Sequence, residues 1–314
     1  MTGRHGASGE AATVVPDGPF RGLSAYPLTP LRADVLDGEA LRTMVRRLAA
    51  DDDGTQVVDS IGALGSTGSY AYLDRQEWTT ALRTILEEAR DIPVIAGIGA
   101  LRTREAVARA RTAEQLGAAG LLLAPVSYQP LREAEVIGLF TAVAEAVAVP
   151  ICIYDNPGTT GFRFSLDLYG RLARIPGVTA VKIPPTAGTE VPPGERLARI
   201  RAAVGPEFSI GISGDAAAAA HLAAGADAWH SVVGGLFPRA ARRLFDGARA
   251  GGVPPDALAV LWPLLAAHGS VRVIAAAAAE LGLVGQDCLP HPLLPLDGAD
   301  RDAVAAAVRS LRTG

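Results

Sequence analysis

One residue type sets the starting point: of the 29 Lys and Arg residues in this 314-residue chain, every one except Lys182 is arginine. Arginine stays charged in all protein settings, whereas a lysine amine loses its proton readily when desolvated and then attacks carbonyls. Lys182 closes the apolar run Val-Thr-Ala-Val-Lys, so its amine would emerge from an apolar wall where burial disfavours the charged form. A snorkelling lysine at a strand end is the plain alternative, but arginine would serve there equally well and this chain uses it everywhere else. The expectation is a Schiff-base nucleophile.

Two further groups suit that chemistry. Tyr154 ends the preceding apolar run, Val-Pro-Ile-Cys-Ile-Tyr, and a phenol there would relay protons during imine formation; its other reading is a packed tyrosine with a bonded hydroxyl. The turn Gly65-Ser66-Thr67-Gly68 offers two hydroxyls and free backbone N–H groups, a nest for a substrate carboxylate, although such a segment is by itself no more than a turn. His230 is read either as an acid or base on the rest of the substrate or as a structural histidine, since alternation along a strand does not say which side it faces. Asp155 and Asp215 stand beside strand ends as turn formers or ligands.

These residues need a scaffold that gathers strand ends. Eight short apolar runs are expected as strands: 21–27, 55–63, 93–97, 120–124, 149–154, 178–183, 208–213 and 226–232. Between them lie segments with apolar residues at three- and four-residue spacing, such as GEALRTMVRRLAADD and RQEWTTALRTILEEAR. Strands apolar on both faces that alternate with helices argue for a parallel sheet, and eight such units for a closed (β/α)8 TIM barrel. An open doubly wound sheet would need a glycine-rich phosphate turn after its first strand, which SAYPLTPL does not supply. The expected division is a flexible tail over 1–19, the barrel over 20–236, and a last barrel helix with a C-terminal three-helix appendage over 237–314. In a barrel, groups at the C-terminal strand ends carry the chemistry, which selects Lys182 and Tyr154.

Composition narrows the partners. Hydrophobic residues make up 49% and charged residues 20%, a globular balance, and a net charge of -4 without basic runs argues against nucleic acid and against an anionic membrane surface. Two cysteines, Cys152 and Cys288, build neither a disulfide framework nor a cysteine zinc site, and a cytoplasmic setting fits them. The N-terminal segment has no apolar core of signal-peptide length, and no unbroken apolar stretch is long enough to span a membrane. The expected partner is a small molecule. A metal-dependent aldolase would need clustered His and carboxylate ligands, and the five histidines are scattered, so no metal site is expected.

From about Phe20 to the C-terminus the chain resembles the dihydrodipicolinate synthase and N-acetylneuraminate lyase family of class I aldolases. GALGSTGSYAYLDRQEW, AGIGALRTREAVARARTAEQLGAAGLLLAPVSYQP, YDNPGTTG and VKIPP carry the resemblance at matching intervals. It implies Lys182 as the Schiff-base lysine, Tyr154 as the proton-relay tyrosine, Ser66 and Thr67, next to Gly65, as the carboxylate-binding pair, a homotetramer, and no metal or organic cofactor. There are departures. The arginine that holds an aldehyde substrate's carboxylate in the synthases is Thr159 here, which argues against action on aspartate semialdehyde. The family's glutamate after its G-[ST]-T-G motif is Ser69, and its tyrosine pair after the fourth strand is Val126 and Ser127, with Tyr128 one position later as a substitute or a surface aromatic. The expected activity is an aldolase acting on pyruvate or a hydroxylated 2-oxo acid. A dehydratase of a 2-keto-3-deoxy acid, the synthase itself, and a binding barrel that has lost catalysis are the rivals.

Overall fold

The computed structural model describes residues 18–49, 56–185, 191–252 and 256–313. The expected tail up to residue 17, Thr55 at the head of the second expected strand, and the end of the first helical pattern (50–52) lie outside these residues. The eight apolar runs form strands β1 (Gly22–Ala25), β2 (Ser60–Ala63), β3 (Val94–Gly97), β4 (Gly120–Leu123), β5 (Ile151–Tyr154), β6 (Val178–Ile183), β7 (Ser209–Ile212) and β8 (Ala228–Ser231). Each pairs in parallel with its neighbours in the chain, and β1 pairs with both β2 and β8, so the sheet closes into a barrel. Helices Gly38–Ala49, Arg75–Ala89, Thr103–Leu116, Glu133–Ala144, Leu166–Leu172, Pro193–Val204, Ala218–Ala223 and Pro238–Arg249 follow the strands in turn. The fold is a (β/α)8 TIM barrel.

Helices cover the outside of this sheet and side chains fill its inside, so its strands have no solvent face and read as continuous apolar runs. That is also why the expected strands overrun the observed ones. Val57 and Val58 are buried, yet they precede β2, because burial continues where the hydrogen-bond ladder has stopped. Alternation then sorts the strand residues. Ile151, Ile153, Val181 and Ile183 pack outward with the helices, whereas Cys152, Tyr154 and Ala180 belong to the cluster inside the barrel. Lys182, two residues after Ala180, therefore projects inward.

Two aromatic rings inside the barrel depend on glycines. A Cβ added to Gly62 would come within 2.2 Å of the Tyr26 ring, and one added to Gly211 within 2.4 Å of His230 Nε2. Strand positions that would ordinarily carry a branched side chain are thus left bare to admit rings from neighbouring strands.

Beyond the last barrel helix, a 3-10 turn (Ala257–Leu261) runs into helix Trp262–His268, followed by Ser270–Glu280 and Gly298–Thr313. The three expected helical patterns fall on these segments. The proline-rich stretch between the last two is tied back to the barrel by the Leu31 N–H, which donates to the Cys288 carbonyl at 2.9 Å. Small elements without a counterpart in the expectations include a hairpin of Leu31–Arg32 with Val35–Leu36, a single turn of helix at Pro157–Thr160, and 3-10 turns at Asp215–Ala217 and Val233–Gly235. Among the described residues no helix is long and apolar enough to cross a membrane.

Candidate active site

The β5–β6 register sets Tyr154 directly opposite Lys182. Both are buried, at 4% and 5% exposure, and both stand at the C-terminal end of their strands. Lys182 Nζ lies 3.9 Å from the centroid of the Tyr26 ring and 5.0 Å from that of Tyr154. Aromatic faces attract a cation without supplying a formal counter-charge. Among the described residues no carboxylate forms an ion pair with this amine. Burial accordingly lowers the Lys182 pKa from its ordinary value, opposed in part by Tyr154, Cys152 and Asp215.

Tyr26 escaped the sequence reading, although it follows β1 as directly as Lys182 and Tyr154 end their strands. Its backbone N–H donates to the Ser231 carbonyl at 2.9 Å, which fixes the start of the loop. Its hydroxyl lies 3.1 Å from His230 Nδ1, and the two rings meet edge to face. Burial, and secondarily the charge of Lys182, hold His230 well below the usual histidine pKa, so it is neutral. His230 faces the barrel interior beneath Tyr26 and is not among the cavity-lining residues. Of its two readings, acid or base on the substrate and structural histidine, the observed contact is that of the second: it bonds the tyrosine that flanks the lysine.

The Tyr154 hydroxyl has two partners. It is 2.9 Å from Ser66 Oγ, with either group able to donate, and it accepts a hydrogen bond from Asn156 Nδ2 at 2.8 Å. Ser66 and Thr67 come from the loop after β2, whose backbone enters and leaves through left-handed conformations at Leu64 and Ser69 (φ 57° and 54°). The Ser69 N–H donates to the Ser66 carbonyl at 3.0 Å, closing the turn, while the N–H groups of Ser66 and Thr67 find no backbone acceptor among the described residues. Two free amides and two hydroxyls beside the lysine are what a carboxylate needs.

These groups line a cavity of about 580 Å³ at the barrel mouth, within the usual range for small-molecule sites. Thr159 is in the lining, held by the turn Pro157–Thr160, with its hydroxyl donating to the Asn156 carbonyl at 3.3 Å. Gly65 is not in the lining; it packs against Tyr26. Ser127 and Tyr128 also stay outside it. Ser127 Oγ donates to the Gln129 carbonyl at 2.6 Å, and Tyr128 is 90% exposed, the surface reading of that tyrosine within this chain. Asp155 turns away and accepts from Tyr169 Oη at 2.5 Å. Asp215 borders the cavity but is already satisfied: Oδ1 accepts from Trp229 Nε1 (2.9 Å) and the Val232 N–H (3.2 Å), and Oδ2 from the Val233 N–H (3.0 Å). Trp262 and Arg272 close the cavity from the C-terminal helices, a contribution for which the sequence carries no local signal. Among the described residues no three His, Cys, Asp or Glu side chains converge as metal ligands would.

Residues 19–311 match the dihydrodipicolinate synthetase family. A 4-hydroxy-tetrahydrodipicolinate synthase of Methylococcus capsulatus is 35% identical over 293 residues, covering 90% of this chain and 95% of that protein. The crystal structure of a dihydrodipicolinate synthase from Agrobacterium tumefaciens superposes with a TM-score of 0.88 at 44% identity, covering 93% of this chain and 98% of that one. That of a chloride-inhibited dihydrodipicolinate synthase from Acinetobacter baumannii complexed with pyruvate does so with a TM-score of 0.81 at 29% identity, covering 93% and 99%. With its barrel closed and its lysine at the mouth, this chain belongs to the dihydrodipicolinate synthetase family, whose members are class I aldolase-type lyases.

Proposed function

We propose that this protein is a Schiff-base lyase that makes or breaks a bond of a hydroxylated 2-oxo acid through an imine on Lys182. The supporting observation is the buried amine of Lys182, without a counter-ion and set opposite a tyrosine whose hydroxyl is bonded to Ser66. The neutral amine adds to the ketone carbon while the N–H groups and hydroxyls of Ser66 and Thr67 hold the neighbouring carboxylate. Tyr154 passes a proton to the carbinolamine oxygen, which leaves as water, and the C=N bond forms. Tyr26, 3.9 Å from the nitrogen, offers the resulting iminium an aromatic face.

The iminium draws electrons from the C3–C4 bond. Removal of the proton from a C4 hydroxyl then releases an aldehyde and leaves an enamine, which takes a proton at C3. Hydrolysis frees pyruvate and the amine. Loss of a C3 proton followed by departure of the C4 hydroxyl as water is the dehydratase outcome of the same intermediate.

A second reading, condensation of pyruvate with aspartate semialdehyde, is favoured by the names of the relatives and opposed by Thr159 at the position of the synthases' arginine. Borohydride reduction in the presence of pyruvate tests the common step. One covalent adduct on the Lys182 peptide is expected, and none in Lys182→Arg. A folded protein that gains no adduct is a binding barrel and not an enzyme of this class. Pyruvate release from hydroxylated 2-oxo acids, set beside consumption of pyruvate with aspartate semialdehyde, separates lyase from synthase.

A further inference from the structure

Among the described residues the cavity has two cationic side chains in its lining, Lys182 and Arg272, and one carboxylate, Asp215. Asp215 forms no ion pair with either cation: its oxygens accept from Trp229 Nε1 and from the Val232 and Val233 N–H groups, and its charge only partly opposes the lowering of the Lys182 pKa. Arg272 sits in the first turn of helix Ser270–Glu280, is partly buried, and makes no ion pair or hydrogen bond among the described residues. Elsewhere in the barrel, arginines that leave the solvent are engaged: Arg201 and Arg21 with Asp227, Arg242 with Asp59, Arg109 with the Gly99 carbonyl. A guanidinium withdrawn from water without a partner is unfavourable unless a ligand supplies the partner. Its planar fork matches a carboxylate through two parallel hydrogen bonds.

We infer that Arg272 selects the far end of the substrate, and that this end carries a carboxylate. The inference rests on the imine reading of Lys182, since the 2-oxo-acid carboxylate is then already held by Ser66 and Thr67 and the second cation of the lining is left for the tail. Thr159 supplies no charge from the loop after β5, so the positive charge for a second carboxylate comes instead from the C-terminal helices. Ser270 and Val271, at the N-terminus of the same helix, also line the cavity, and that end of the helix adds to the positive potential. The substrate class is a 4-hydroxy-2-oxo diacid, or its cleavage products pyruvate and an aldehyde bearing a carboxylate.

The test uses two pairs of substrates: 4-hydroxy-2-oxopentanedioate against 4,5-dihydroxy-2-oxopentanoate, and 4-hydroxy-2-oxohexanedioate against 4,6-dihydroxy-2-oxohexanoate. Members of a pair differ only in a terminal carboxylate or hydroxymethyl group. Pyruvate release by the intact protein is expected to favour the diacid of at least one pair by about 10- to 100-fold in kcat/KM, the range for a charge-assisted hydrogen bond. Arg272→Met removes that preference by raising KM of the diacid more than KM of the hydroxymethyl substrate; Arg272→Lys retains part of it. Equal activity on both members of each pair, no turnover of either diacid, or an Arg272→Met defect shared equally by both tails would overturn the inference. Borohydride trapping with pyruvate is run on the same samples. If wild type and Arg272→Met both form the Lys182 adduct, a lost preference or its absence bears on Arg272 alone; if neither does, the imine reading fails and takes this inference with it.

Discussion

The two ends of the barrel treat charge in opposite ways. At the N-terminal ends of the strands, Asp227 accepts from Arg21 (3.0 Å), Arg201 (2.5 Å) and the Ile210 N–H (2.8 Å), and Asp59 accepts from Arg242 and the Leu23 N–H, both at 2.6 Å. Every charge in that group is answered within the chain. At the C-terminal mouth, Lys182 and Arg272 have no carboxylate partner among the described residues, and the acid of the described lining, Asp215, accepts its hydrogen bonds from Trp229 of β8 and from the loop that follows it. Saturated charge holds the barrel together, whereas unsaturated charge costs stability and is useful only where a ligand completes it. The division matches the general separation of stability and chemistry between the two faces of this fold.

The comparison breaks most readily at Tyr154. Replacing Tyr154 with Phe removes the hydroxyl shared with Ser66 and Asn156, and steady-state assays are expected to show kcat reduced by about 10²- to 10⁴-fold with folding intact. A variant that keeps full kcat would mean the phenol only packs. The opposite end should respond in the opposite currency. Asp227→Asn weakens contacts to two arginines and an amide, so chemical denaturation should reveal a loss of ~2–3 kcal/mol while kcat of the folded fraction is unchanged. A catalytic defect without a stability defect would erase the distinction between the ends.

The smallest expected effect is a pH dependence of stability at the mouth. Burial lowers the Lys182 pKa, so between that lowered value and the ordinary lysine value of about 10.4 the unfolded chain holds a proton that the folded chain has shed. More protons on the unfolded state mean that stability rises with pH across this window, and that the full cost of the buried charge is felt below it. Lys182→Met, which carries no such charge, is therefore expected to be more stable than wild type at neutral pH, by a margin that shrinks as the solution becomes alkaline. Denaturation curves giving a margin that does not change with pH would place the amine in water rather than in the wall.

How much of this was readable in advance varied by kind of feature. The strand at 178–183 was placed residue for residue, and the strand at 149–154 missed only Val149 and Pro150, because a run buried on both faces is apolar throughout. The hairpin at Leu31–Leu36 was not foreseen, since two-residue strands are too short to show a period. Tyr26 stands just past the C-terminal end of β1, so the strand-end rule that selects Lys182 and Tyr154 applies to it equally. His230 was read on the right strand, but its side was not readable: Trp229 beside it packs outward, and only the bare position at Gly211 makes room for an inward ring.

The chain's residue order was enough for the barrel class, the lone lysine at a strand end, the tyrosine one strand away and the hydroxyl pair, because each follows from short-range periodicity or from a local motif. The pairing state of the lysine, the Asn156 contact to Tyr154, the neutral histidine under Tyr26 and the arrival of Arg272 from the C-terminal helices came only with the folded chain. Those features depend on groups distant in sequence meeting in space, and burial and charge balance at such meetings leave no repeat or spacing in the sequence to be read.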